Sequence, residues 1–186
     1  MAAEKSDLEL LALTAAGDHD AFEQLVLRHQ GKVLNLIFRF TWNRQDVEDL
    51  AQEIFFKVWE NARSFRGRSA FSTWLYRLVV NTCLNYRQKK KTESEPLPLL
   101  GDFAAETNVA GAEILTRERE ILLKKALTSL PARQRLALIL ANFENKSYAE
   151  ISAIMEVSLS AVETLLFRAR RNLAAILRPL KKKSEL

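Results

Sequence analysis

Eight basic residues and no acidic one fall between Asn61 and Thr92: Arg63, Arg66, Arg68, Arg77, Arg87, Lys89, Lys90 and Lys91. Five aromatic rings are interleaved with them, namely Phe65, Phe71, Trp74, Tyr76 and Tyr86. Cations at this density suit a phosphate backbone. Rings among them suit unstacked bases, because a base outside a duplex needs a π-face to lie on. The chemistry is that of gripping an opened nucleic-acid strand. A second basic block, with seven basic and three acidic residues, runs from Ile151 to Leu186. It is separated from the first by Glu93 to Glu120, where seven acids meet two arginines. Two basic blocks about an acidic stretch imply two contacts with nucleic acid.

The elements that position these residues read as helices. The chain has 186 residues, 48% hydrophobic and 27% charged, with five Gly and four Pro. That is enough apolar material for a core and a composition that favours an all-α protein. A short helix is expected from Asp7 to Ala16, stopped by Gly17. Asp18 or Asp20 caps a long one to about Phe40, whose apolar positions Phe22, Leu25, Val26, Val33, Leu36, Ile37 and Phe40 recur at helical spacing. Asn43 starts a third, to about Ala62. After a loop around Gly67, a fourth runs from about Ala70 to Lys90. On it, Trp74, Arg77, Asn81, Asn85 and Gln88 share one side, while Leu75, Leu78, Val79, Thr82 and Tyr86 share another and are expected in the core. Residues 92–109 carry Pro96, Pro98, Gly101 and several acids and read as a flexible linker. They divide an N-terminal domain, 1–91, from a C-terminal one, 110–186. The latter holds helices over about 112–129, from Pro131 to about Phe143, from Tyr148 to Met155, and from Ser160 to about Leu177.

The segment from Tyr148 to Arg171 has helix-turn-helix grammar. Ser147 can cap its first helix, and Ser158 or Ser160 its second. Ser152 is small enough for the crossing. The second helix would enter a major groove with Ser158, Ser160, Ala161, Glu163 and Thr164 leading and Arg168, Arg170 and Arg171 near phosphates. A helical hairpin that merely packs fits the same spacing. Glu156 stands in the turn where glycine is common, because that residue often has φ > 0.

Other chemistries find little support. Cys83 is the sole cysteine, so no intrachain disulfide forms; a small buried hydrophobe fits it better than a redox role. His19 and His29 lack metal-ligand spacing. There is no nucleophile–base pattern or phosphate-cradling glycine loop, so an enzyme, a metal site and a cofactor are not expected. The acidic N-terminus is unlike a signal peptide, and no apolar run approaches the ~18–20 residues that insert in a membrane. A cytoplasmic chain is expected.

Taken in order, the motifs resemble the sigma-70 family of RNA polymerase sigma factors, in its extracytoplasmic-function group. They are Gly17-Asp18-His19-Asp20-Ala21-Phe22, the run from Asp46 to Phe55, the run from Phe65 to Tyr76, and Leu130-Pro131-Ala132-Arg133-Gln134-Arg135 with the helix-turn-helix. The resemblance implies a sigma region 2 bundle and a sigma region 4 helix-turn-helix. It implies that Asp49, Gln52, Glu53 and Phe56, spaced i, i+3, i+4 and i+7, dock on the β′ clamp helices of core polymerase. Without it, Phe56 reads as core. It assigns the −10 element to Phe65, Arg66, Arg68, Phe71, Trp74, Arg77, Asn81 and Gln88, with the two Phe rings shaping a pocket for a flipped base. Read by themselves, Phe65, Phe71 and Trp74 fit closure of the core equally. The second domain would read the −35 element and touch the β flap, and an anti-sigma protein would mask the polymerase-binding surfaces. Glu156, Glu163 and Leu165 break the family pattern, so no base contact is carried over at Glu163 or Leu165. A stand-alone helix-turn-helix regulator with a sensing or dimerising N-terminal domain is the competing reading. The basic-aromatic stretch speaks against it, since a duplex-only repressor has little use for Trp74 and Arg77.

Overall fold

The computed structural model describes residues 5–92 and 121–181, with side chains through 178. The expected linker beyond Thr92, and the start of the helix expected from Ala112, lie outside the described residues. Within them every regular element is helical: α1 (Asp7–Ala15), α2 (His19–Thr41), α3 (Arg44–Asn61), a 3₁₀ turn (Ala62–Ser64) and α4 (Phe71–Thr92). Then come α5 (121–128), α6 (Ala132–Asn142), α7 (Tyr148–Met155) and α8 (Leu159–Lys181).

Local chemistry sets most boundaries. Ser6 and Glu9 form a capping box on α1, and Asp18 accepts from the Ala21 amide to start α2. Asn43 does the same for α3 through Gln45. Each satisfies an amide that the first turn leaves without a partner. Gly17, at φ 97°, provides the left-handed residue that breaks α1 from α2.

The end of α2 has no such signal. Trp42 closes it in the left-handed region, at φ 54°, where a side chain costs roughly 1–2 kcal/mol. Its half-buried ring packs against Leu127, Leu130, Leu138 and Ala169 of the C-terminal half. Burying a large apolar side chain contributes about 1.5–3 kcal/mol when complete, so partial burial offsets the backbone strain.

One apolar core runs through both halves. It joins Leu10, Leu36, Ile37, Ile54 and Val79 to Leu136, Ile139, Ile151 and Leu166. Within the first half α2 packs on α1 and α3, and α3 on α4; across the halves α4 lies on α7 and α6, and α2 on α6. The expected core face of α4 is largely correct: Leu75, Val79 and Thr82 are buried, and Leu78 and Tyr86 are half-buried against the core.

Cys83 is fully buried in this core. Burial, and to a lesser extent the charge of Glu53, pushes its thiol up to about 12. A neutral, enclosed thiol is a poor nucleophile. Cys83 is therefore expected to react with a thiol reagent only in denaturant, at a rate that tracks unfolding. Stoichiometric labelling within seconds in native buffer contradicts the packing of α4.

Candidate nucleic-acid and partner interfaces

The outer face of α3 presents Asp49, Gln52 and Glu53, all exposed, and Phe56, whose ring is 60% exposed. Glu53 is paired with Lys57 one turn on. Beside them lies an open groove of about 750 Å³ between α2 and α3, lined chiefly by Phe22, Val26, Leu34, Phe55, Phe56 and Trp59. His19 stacks on Trp59 with centroids 4.6 Å apart. Sequence reasoning set Phe22 and Val26 in one helical apolar series with Leu25, Val33, Leu36, Ile37 and Phe40 and missed the groove. The available signal was a second apolar stripe, Phe22, Val26 and Leu34 at multiples of four residues. It drifts away from the Val33–Leu36–Ile37–Phe40 face because 4 exceeds the 3.6-residue turn.

The loop before α4 turns at Gly67, φ 67°, and holds Arg66 and Arg68 in solvent. Arg63 is committed elsewhere: its Nε donates to the Ala15 carbonyl at the end of α1, 2.9 Å away. The three rings of this region separate into different roles. Phe71 is only 4% exposed and meets His29 edge-on at 5.1 Å. Of the two readings of Phe71, its burial supports closure of the core: the first residue of α4 points inward against His29. Phe65 and Trp74 are half-buried, 5.2 Å apart, and Trp74 leans on Phe71 at 5.9 Å. Asn81 and Gln88 stand exposed along α4.

At the end of α4, Tyr86 donates to Asp46, and Lys90 pairs with the same carboxylate at 3.2 Å. Burial first, and that hydrogen bond second, push the Tyr86 hydroxyl up to about 12. Lys90 is thus engaged within the bundle, leaving Lys89 and Lys91 as the exposed cations.

In the C-terminal half, Ser147 and Glu150 make a capping box on α7. Those hydrogen bonds, with Lys146 adding to them, hold the Glu150 carboxyl below its usual range. Ser158 caps α8 through the Ala161 amide, at 3.2 Å. The Ser152 hydroxyl donates to the Val157 carbonyl at 2.6 Å and fastens the turn. Val162 and Leu166 are buried and hold α8 against α7. Ser158, Ser160, Glu163, Thr164, Arg168 and Arg171 are exposed, and Ala161 is half-buried. Phe167, 65% exposed, shares their face one turn after Glu163 and was missed, because an apolar residue on a helix is read as core by default. Glu163 makes no hydrogen bond or ion pair among the described residues.

The two halves meet through reciprocal arginines. Arg135, 3% exposed, donates to the Phe40 carbonyl at the end of α2, 2.6 Å away. It also donates to the Thr128 and Leu130 carbonyls at the end of α5. Burial, and then the nearby charge of Arg87, pushes its guanidinium down to about 10, still cationic at neutral pH. In return, Arg77 of α4 donates to the Ala153 carbonyl in the last turn of α7, at 2.9 Å. It also pairs with Glu156 at 3.2 Å. Glu156 holds φ 54° and ψ 47°, the left-handed conformation expected of a glycine there. Tyr76 adds a 2.6 Å hydrogen bond to Glu144, and Arg39 lies over the Phe143 ring at 4.8 Å.

Among the described residues no cluster of His, Cys, Asp or Glu could hold a metal ion, and no helix is long and apolar enough to cross a membrane.

The chain matches the family described as Sigma-70 region 2 over residues 25–93 and that described as Sigma-70, region 4 over residues 117–173. It is 34% identical to the RNA polymerase sigma-H factor of Pseudomonas aeruginosa, covering 97% of this chain and 98% of that protein. It is 35% identical to the ECF RNA polymerase sigma-E factor of Escherichia coli K12, again covering 97% and 98%. Among solved structures, that of CnrH in complex with the cytosolic domain of CnrY has a TM-score of 0.69 at 27% identity, covering 94% of this chain and 99% of that one. The chain thus carries both sigma regions in their order, with two candidate surfaces in the first and one in the second. The chain belongs to the sigma-70 family of RNA polymerase sigma factors, within the ECF group.

Proposed function

We propose that this sigma factor uses three of its surfaces in sequence during transcription initiation. Asp49, Gln52, Glu53 and Phe56, with the adjoining groove, bind the β′ clamp helices of core polymerase. A helix laid into an apolar groove with a polar rim is a recurrent docking mode. Arg66 and Arg68 hold the backbone of the opened non-template strand at the −10 element. Phe65, Trp74, Arg77, Asn81 and Gln88 receive its bases and phosphates. On α8, Ser158, Ser160, Ala161, Glu163, Thr164 and Phe167 face the −35 major groove, and Arg168 and Arg171 meet its phosphates. Glu163 suits a cytosine amino group and Phe167 a thymine methyl. The region 4 domain, 110–186, also touches the β flap.

The observation that carries this reading is the α2–α3 groove with the exposed Phe56 on its edge. A stand-alone repressor needs the helix-turn-helix, but not an apolar docking surface beside a basic, aromatic strand-holding one. An anti-sigma protein covering the same groove completes the proposal; CnrH is described with the cytosolic domain of CnrY.

The test is transcription in vitro with core polymerase and a library of genomic fragments. The intact chain is expected to generate promoter-specific starts, and Phe56→Glu to lower affinity for core at least tenfold without lowering the melting temperature. No new starts and no complex with core contradicts the assignment. Trp74→Ala is expected to slow promoter opening by roughly 5- to 150-fold, the equivalent of one base–aromatic stack of about 1–3 kcal/mol, with binding to core intact. Equal loss of both places Trp74 in packing alone.

A further inference from the structure

The proposed strand-binding face and the helix-turn-helix turn occupy each other in this structure. Arg77 lies on the α4 face assigned to the −10 strand. Its Nη1 is 3.2 Å from the Glu156 carboxylate, and its Nη2 donates to the Ala153 carbonyl. The remaining donor, Nε, is buried without a partner. Glu156 is 58% exposed in its side chain and sits on a left-handed backbone at φ 54°, ψ 47°, which an L residue rarely adopts.

The promoter elements give this contact a consequence. Their centres are about 25 base pairs apart, roughly 85 Å at ~3.4 Å per pair. A chain whose α4 and α7 turn are in hydrogen-bond contact spans no such distance, so it must open before it can engage both elements. Guanidinium groups bind carboxylate and phosphate oxygens with the same geometry. We propose that Glu156 is an internal stand-in for a strand phosphate: its carboxylate occupies Arg77 in the closed chain, and the opened −10 strand displaces it. This rests on the assignment of Arg77 to that strand. It accounts for an acid at a turn position where glycine is free of strain: glycine there would turn the chain equally well but leave the Arg77 Nη1 without its carboxylate.

The test uses the intact chain and a fluorescent single-stranded DNA oligonucleotide of mixed sequence at low ionic strength. Glu156→Gln and Glu156→Gly are each expected to raise affinity 3- to 10-fold. Glu156→Gly controls for folding, since glycine suits the backbone. The gain is expected to vanish when Arg77→Ala is added, and to shrink as salt screens the pair.

Unchanged affinity in both Glu156 variants, while Arg77→Ala weakens strand binding, overturns the stand-in but leaves the strand assignment intact. A gain that persists in the Arg77→Ala background also overturns it, because the charge then acts elsewhere. If Arg77→Ala changes neither strand binding nor promoter opening with core polymerase, the assignment of Arg77 fails and the stand-in with it.

Discussion

A buried guanidinium with no carboxylate opposite it organises this molecule. Removing a cation from water is expensive unless its donors are satisfied. Arg135 meets that demand in part, its two terminal nitrogens donating to the Phe40, Thr128 and Leu130 carbonyls while its buried Nε has no partner among the described residues. The Phe40 and Thr128 carbonyls are of the kind a helix leaves unpaired in its last turn, where its dipole also favours positive charge, and Leu130 adds one from the connection to α6. Both problems are solved by one contact, and the solution works only if α2 of the first half abuts α6 of the second. Arg77 repeats the device in the opposite direction on α7. These contacts set where the halves meet rather than how strongly. The side-chain pair Arg77–Glu156 is partly exposed, and pairs of that kind contribute roughly 0–1 kcal/mol. Most of the cohesion comes from the shared apolar core.

That division of labour matters for function. In an interface held by broad apolar contact and positioned by a few charges, a ligand that takes the charges removes the positioning contacts but only a small part of the cohesion. On the proposed assignment, strand phosphates would compete with Glu156 for Arg77. The α4 surface that Arg77 uses for closure is the one proposed for strand capture, and on that proposal the two uses exclude each other. Trp74 bridges them differently. Leaning on Phe65 and Phe71, it is placed by the core it partly belongs to, which limits its motion before a base arrives.

Much of this was legible from the residues. The caps at Asp18, Asn43 and Ser147 announce helix starts through local hydrogen bonds, and the core face of α4 follows its period. What escaped was determined by distant partners. Trp42 ends α2 because apolar residues more than eighty positions away receive its ring. Phe71 reads as either core or pocket from spacing alone, and only the position of His29 decides it. Phe22 and Val26 have the spacing of core residues yet line a groove, because nothing among the described residues covers them. The departure at Glu156 was visible in the turn, but its explanation lies on α4, 79 positions earlier at Arg77.

The central claim is that the halves of this sigma factor are closed when alone and separated when it acts. The direct measurement is the distance between spin labels on exposed positions of α3 and α8, in the free chain and in a transcribing complex with core polymerase and promoter DNA. A single short distance in the free chain that lengthens by tens of ångströms in the complex is the predicted result. The same short distance in both states contradicts it.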